Sequence, residues 1–211
     1  ASIRGFGYAG AGVPEAPTIT GVSATGVGEV SVTYTAPASD GGAPITSYTA
    51  VSNPSGITGT LSTSGSGTIV VSGLANGVTY TFTVYATNAT GNSPSSSPSS
   101  SVTTWDVPGT PTATTPTATG TTTATIDYTA PASDGGTSIT SYTAVSTPSG
   151  GSGAVYQSSS GTINVVGLSS GTSYTFKVYA TNAVGNSALS NSSSSITTWS
   201  QKTVIGVAHS T

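Results

Sequence analysis

Tyr34-Thr-Ala-Pro-Ala-Ser-Asp-Gly-Gly42 recurs 94 positions later as Tyr128-Thr-Ala-Pro-Ala-Ser-Asp-Gly-Gly136. The match continues to Gly56 and Gly150, broken only at Ala43/Thr137, Pro44/Ser138 and Asn53/Thr147. The same offset joins Leu74 to Leu168, Tyr80 to Tyr174, Asn88 to Asn182 and Trp105 to Trp199. An ungapped repeat therefore runs from Pro14/Pro108 to Trp105/Trp199. A unit this long is a whole domain, because solenoid repeats are shorter. The 211 residues divide into a Gly-rich segment 1–12, repeats 13–105 and 106–199, and a closing segment 200–211.

Working outward from that stretch, every apolar run has the period of a strand. Val30, Val32 and Tyr34 alternate with Glu29, Ser31 and Thr33, the signature of a half-buried strand. The same pattern predicts strands at Thr18 to Ala24, Ile45 to Ser52, Thr60 to Ser62, Thr68 to Val71, Thr79 to Asn88 and Ser99 to Thr104. The longest puts Tyr80, Phe82, Val84 and Ala86 on one face and Thr79, Thr81, Thr83 and Tyr85 on the other. Asp40-Gly-Gly, Asn53-Pro-Ser-Gly and Ala75-Asn-Gly separate the runs as turns. Seven short strands per repeat, with no helical periodicity, predict an all-β chain of two antiparallel sandwiches.

Composition narrows the functions. Charged residues make up 4% of the chain, against roughly 25% in ordinary globular proteins. Three Lys and Arg residues cannot track a phosphate backbone, so nucleic acid is not an expected partner. The absence of cysteine excludes disulfide and thiol chemistry. No apolar run reaches the length of a membrane span.

The repeated pattern resembles the fibronectin type III family. The resemblance rests on the paired prolines at each entry and on Tyr-Thr-Ala-Pro-Ala-Ser-Asp-Gly-Gly-x-x-Ile-Thr-Ser-Tyr. It continues through Gly73-Leu74 and Gly77-x-x-Tyr80-x-Phe82-x-Val84-x-Ala86-x-Asn88-x-x-Gly91-x-Ser93. It implies seven-stranded immunoglobulin-like sandwiches, with Tyr34 and Tyr128 where the family usually carries Trp. It also places Tyr80 and Tyr174 at the family's tyrosine corner, a structural role. The low charge and the abundance of Ser, Thr and Gly resemble copies from bacterial secreted proteins and bacteriophage virions. The family's Arg-Gly-Asp motif is not present in the corresponding loops, so integrin binding does not carry over.

Catalysis needs acids, bases or nucleophiles within reach of one another. The single histidine, His209, is the third residue from the end, and Asp40 and Asp134 are equivalents in separate repeats. No enzyme activity, cofactor or metal is expected, and Asp40 reads as an Asx turn. Asn88-Ala-Thr and Asn191-Ser-Ser match the glycosylation sequon.

The expected role is a structural and interaction module. One reading is a spacer or decoration segment of a phage virion, in a tail, fibre or capsid surface, bound to other subunits or to itself. The other is an adhesive or carbohydrate-binding accessory segment of a bacterial secreted or cell-surface protein. Candidate interface residues are Ile3, Arg4, Phe6, Tyr8, Trp105, Trp199, Val204, Ile205 and Val207. Tyr85 and Tyr179, on the outward phase of the longest strand, are the candidate contacts for a host-surface glycan.

Overall fold

The computed structural model describes residues 10–202, and the candidate residues Ile3, Arg4, Phe6, Tyr8, Val204, Ile205 and Val207 lie outside that range. The chain divides between Trp105 and Asp106 into two compact units. The first contains β1 (Thr18–Gly26), β2 (Glu29–Thr35), β3 (Ser47–Asn53), β4 (Thr58–Leu61), β5 (Gly67–Val71), β6 (Thr79–Thr87) and β7 (Val102–Thr103). Its two sheets have the orders β1-β2-β5 and β4-β3-β6-β7, with every pair antiparallel. The second unit repeats this with β8 (Thr112–Ala118), β9 (Ala124–Thr129), β10 (Ser141–Thr147), β11 (Ser152–Val155), β12 (Gly161–Val165), β13 (Ser173–Thr181) and β14 (Ile196–Thr197). Its sheets are β8-β9-β12 and β11-β10-β13-β14. Among the described residues there is no helix.

The alternation seen in the sequence becomes burial. Val30, Val32 and Tyr34 of β2, with Ile69 and Val71 beside them on β5, face Tyr48, Ala50, Tyr80, Phe82, Val84 and Ala86 across the first sandwich, all essentially without solvent contact. Ile126, Tyr128, Tyr142, Ile163, Val165, Phe176 and Val178 do the same in the second. Fully burying one side chain such as Phe82 contributes about 1.5–3 kcal/mol. Tyr34 lies over Tyr48 with ring centroids 4.4 Å apart. Tyr128 lies over Tyr142 at 4.2 Å. Each ring is thus a core filler whose hydroxyl reaches out of the apolar layer. Tyr34 donates to the Gly65 carbonyl at 3.1 Å and Tyr48 to the Ser64 carbonyl at 3.3 Å, which pins the turn before β5.

The last strand differs from the expectation. The sequence pattern predicts a strand over Ser99 to Thr104, yet β7 covers only Val102–Thr103. Before it, the chain runs beside β6 with a period of three against the strand's period of two. Ser93, Ser96 and Ser99 donate backbone N–H groups to the carbonyls of Ala86, Val84 and Phe82, each at 2.8 Å. Their hydroxyls accept the N–H groups of the same three residues at 2.9, 3.0 and 3.0 Å. Each hydroxyl then donates to the carbonyl of the following residue. One serine therefore satisfies both backbone groups of one β6 residue. Ser187, Ser190 and Ser193 repeat the arrangement on Ala180, Val178 and Phe176. A regular ladder cannot form where three residues face two, which is why the strand shortens.

The copies also compensate for one another's substitutions. Ile57 packs on the first core, and Gly151 takes its place in the second. A Cβ at Gly151 would strike the Leu168 side chain, which fills the room instead. With that bulk gone, Ser152 and Val166 exchange two backbone hydrogen bonds of 3.1 Å.

Replacing Ser96 or Ser190 by alanine leaves a buried N–H on Val84 or Val178 without its acceptor. Each change should lower the unfolding free energy by about 1–3 kcal/mol, read from urea denaturation. Ser97→Ala, whose hydroxyl makes no such bond, should leave the midpoint unchanged.

Candidate functional site

Sandwich loops carry function most often, and here one asparagine organises them in each unit. Asn88 is buried at the end of β6. Its amide donates to the Gly12 and Asp40 carbonyls, both at 2.8 Å. Its side-chain oxygen accepts the N–H groups of Thr90 and Gly91. Three chain segments are thus tied to one side chain. Asn182 does the same with the Asp106 and Asp134 carbonyls at 2.8 Å and with the N–H groups of Val184 and Gly185. This occupies the nitrogen a glycan would need, so the Asn88 sequon is structural in the folded state. The Asp40 carboxylate accepts the Gly42 N–H at 2.8 Å and Asp134 that of Gly136 at 2.9 Å, each closing an Asx turn. Gly41 and Gly135 take φ near 77° and 79° there, and a Cβ on Gly41 would strike the backbone of Gly12 and Val13.

Beside the first of these turns lies an open groove of about 450 Å³, lined by Pro37, Ala38, Ser39, Asp40, Pro44, Ile45 and Ser64. Its one ionisable group is Asp40, already committed to the turn. Among the described residues no three His, Cys, Asp or Glu side chains gather as a metal site would require. No buried side-chain nitrogen or oxygen there lacks a partner. An orphaned polar group aimed into a cavity is the usual trace of a ligand site, and the described structure has none.

The corner tyrosines are buried. The Tyr80 hydroxyl accepts the Ala75 N–H at 3.1 Å and the Tyr174 hydroxyl the Ser169 N–H at 2.9 Å. That backbone donor holds the Tyr174 hydroxyl below the ordinary tyrosine value. Tyr85 and Tyr179 are half-buried, opposite Thr49 on β3 and Thr143 on β10. The freest described aromatics are elsewhere: Tyr156, 86% exposed, and Trp199, 58% exposed. Trp105 is half-buried. Neither tryptophan belongs to a buried core cluster. The carbonyl of Trp105 accepts the Gly77 N–H at 3.1 Å, and that of Trp199 the Gly171 N–H at 3.2 Å.

The serine arrangement and the asparagine ties went unread as sites in the sequence. The first had a signal, serine at every third position from Ser93 and from Ser187. The second had none, because the partners of Asn88 are backbone carbonyls up to 76 positions away.

Comparison with known proteins settles the kinship. The fibronectin type III domain profile matches residues 14–102 and again 108–196. The chain belongs to the fibronectin type III family. Chitinase A1 of Niallia circulans is 34% identical over 205 residues, which is 92% of this chain and 27% of that protein. The chain thus spans about a quarter of the curated relative it matches. The FN1–FN3 domains of chicken CNTN1 align over 89% of this chain and 69% of theirs, at 18% identity and a TM-score of 0.38. A titin segment aligns over 89% of this chain and 62% of its own, at 22% identity and a TM-score of 0.47.

Burial pushes the Tyr34 hydroxyl up to about 12, with the neighbouring Tyr48 adding to the effect. Burial also raises Tyr48, Tyr128 and Tyr142. A group whose folded value lies above its unfolded value of about 10 stabilises the fold fully below that pH. The contribution is lost as pH rises through the folded value. Stability should therefore hold to about pH 10 and fall between there and about pH 12. The last tyrosines to ionise, followed by ultraviolet absorbance, should do so together with loss of the β-sheet circular dichroism. Complete ionisation of all ten tyrosines in a still-folded chain would contradict this.

Proposed function

We propose that this pair of fibronectin type III domains is a non-catalytic spacer and interaction module of a bacterial secreted polysaccharide-degrading enzyme. The observation that carries the reading is the chitinase alignment. It runs through both domains, covers 92% of this chain and occupies 27% of the relative. The chemistry of the described surface supports it. Uncharged Ser and Thr dominate that surface, and some of their hydroxyls bond to one another, as Thr49 does to Thr60 at 3.1 Å and Thr79 to Thr103 at 2.8 Å. Such a surface is wetted and neutral, suited to standing in solvent between other domains. On this reading the protein works outside the cell, and its partners are the domains it separates.

A second reading, a segment of a phage virion, is favoured by the low charge. Six acidic and three basic residues leave few ions to desolvate when neighbouring subunits pack closely. Its contacts would be the terminal residues and Trp199.

The spacer reading is tested by placing residues 1–211 between a chitinase catalytic domain and a chitin-binding domain. The comparison is a Gly/Ser linker of equal residue number. Sugar release from insoluble chitin should be several-fold higher with the domain pair, and release from soluble oligosaccharides equal. Equal release in both cases removes the spacer reading. The isolated chain should stay in the supernatant over insoluble chitin. Retention abolished by Tyr156→Ala or Trp199→Ala would replace the spacer by a binding module.

A further inference from the structure

The two domains are repeats of one fold, and they treat one sheet edge in opposite ways. In the three-stranded sheets the outer strands are β1 and β8. Val22 of β1 pairs with Val32, and Pro116 of β8 pairs with Ile126 in the equivalent register. A proline has no N–H to give a ladder, so this register is the one whose backbone groups point away from the neighbouring strand. In β8 the outward donor is therefore missing. In β1, Val22 supplies it, and Ala24, two residues on, points the same way.

A second difference acts on the same edge. The amide of Asn191 donates to the Ala113 carbonyl at 3.2 Å, covering the edge of β8 near its start. The equivalents are Ser97 and Ile19, and the serine is too short to make that bond. Among the described residues, the edge of β8 is thus closed at two places where the edge of β1 is open. Proteins usually blunt such edges with lysine, proline, an inward charge or a bulge; β1, Thr-Ile-Thr-Gly-Val-Ser-Ala-Thr-Gly, has no lysine, proline or charge, and its register shifts fall at Ile19/Gly21 and Ala24/Gly26, leaving Val22-Ser23-Ala24 in regular register between them. The other borders of the first domain are protected. Pro94 and Pro98 remove donors beside β6, and Gly59 lets β4 pass against the Val70 carbonyl.

We infer that the outer edge of β1 is a strand-addition site whose occupant is β1 of a second copy of this chain, antiparallel about a twofold axis at Ser23. The self-pairing follows from the spacing of the outward groups. With Ser23 facing its own copy, Val22 of each strand lies opposite Ala24 of the other. Both are residues with outward N–H and C=O groups, so each pair exchanges two backbone hydrogen bonds. The symmetric pairing repeats this on the other side of the axis. Two β1-β2-β5 sheets become one six-stranded sheet. No charge on either strand opposes the approach, and the side chains of Val22 and Ala24 stay on the core side. The site does not depend on the spacer reading above.

The test is the mass of the full 211-residue chain by sedimentation equilibrium over rising concentration. The wild-type chain should pass from monomer to dimer. Val22→Pro, which copies the second domain, should halve the mass at the concentrations where wild type is dimeric. Ser23→Lys is the companion variant, at an exposed position that leaves the core untouched. It sets two ammonium groups against each other across the axis, so its dimer should weaken in low salt and recover as salt screens them. Pro116→Val should open the second edge and give masses beyond the dimer. A wild-type chain monomeric at millimolar concentration overturns the proposal. So does a dimer that Val22→Pro and Ser23→Lys both leave intact, which would place the contact elsewhere on the chain.

Discussion

The sandwich of each domain depends on how the backbone of one inner strand, β6 or β13, is satisfied. β6 and β13 are inner strands of the four-stranded sheets, and their inward side chains are buried. Along one side they pair with β3 and β10 over seven residues. Along the other there is no full strand: three serines at every third position are followed by the two-residue β7 or β14. Each serine meets one N–H and one C=O of the central strand. Buried backbone groups left unmade cost more than a formed bond contributes. Without the serine hydroxyls the strand would lose half of its partners on that side. The short β7 and β14 follow from the same device, since the mismatched period leaves a regular ladder only where the serines end.

The same economy of charge runs through the whole molecule. With charged residues at 4% of the chain, buried polarity is handled by neutral groups: tyrosine hydroxyls reaching carbonyls, threonine hydroxyls such as Thr104 bonding the Ala75 carbonyl at 2.6 Å, and asparagine amides tying loops. Neutral hydrogen bonds carry a smaller desolvation cost than ion pairs. The tyrosines are where this arrangement is sensitive to pH, because their ionisation would place a charge among apolar neighbours.

The fold was legible from alternation. Val30, Val32, Tyr34, Tyr80, Phe82 and Val84 are buried as their period of two implies, and the turn glycines fall between the strands. Boundaries shifted by a residue or two, as at β3, which begins at Ser47 after a buried but unpaired Ile45. The exception was the serine stretch, where a polar, proline-containing run looks like a loop although its hydroxyls are the partners of the core strand. Tyr85 and Tyr179 show the converse limit. Their outward phase was readable, but their half-burial depends on neighbours from another strand.

By itself the sequence determined the number of domains, their class and the faces of their strands. Those follow from a repeat and from a periodicity written locally in the chain. Only the tertiary structure decided what closes each edge and what holds the loops. Asn88 finds its carbonyls at Gly12 and Asp40, and Asn191 finds Ala113, across distances in sequence that no local pattern records. The likeness of the two copies makes the point physically. A proline for a valine, or an asparagine for a serine, is a small change along the chain. It becomes a closed or an open sheet edge only once the strand has been placed at the border of its sheet.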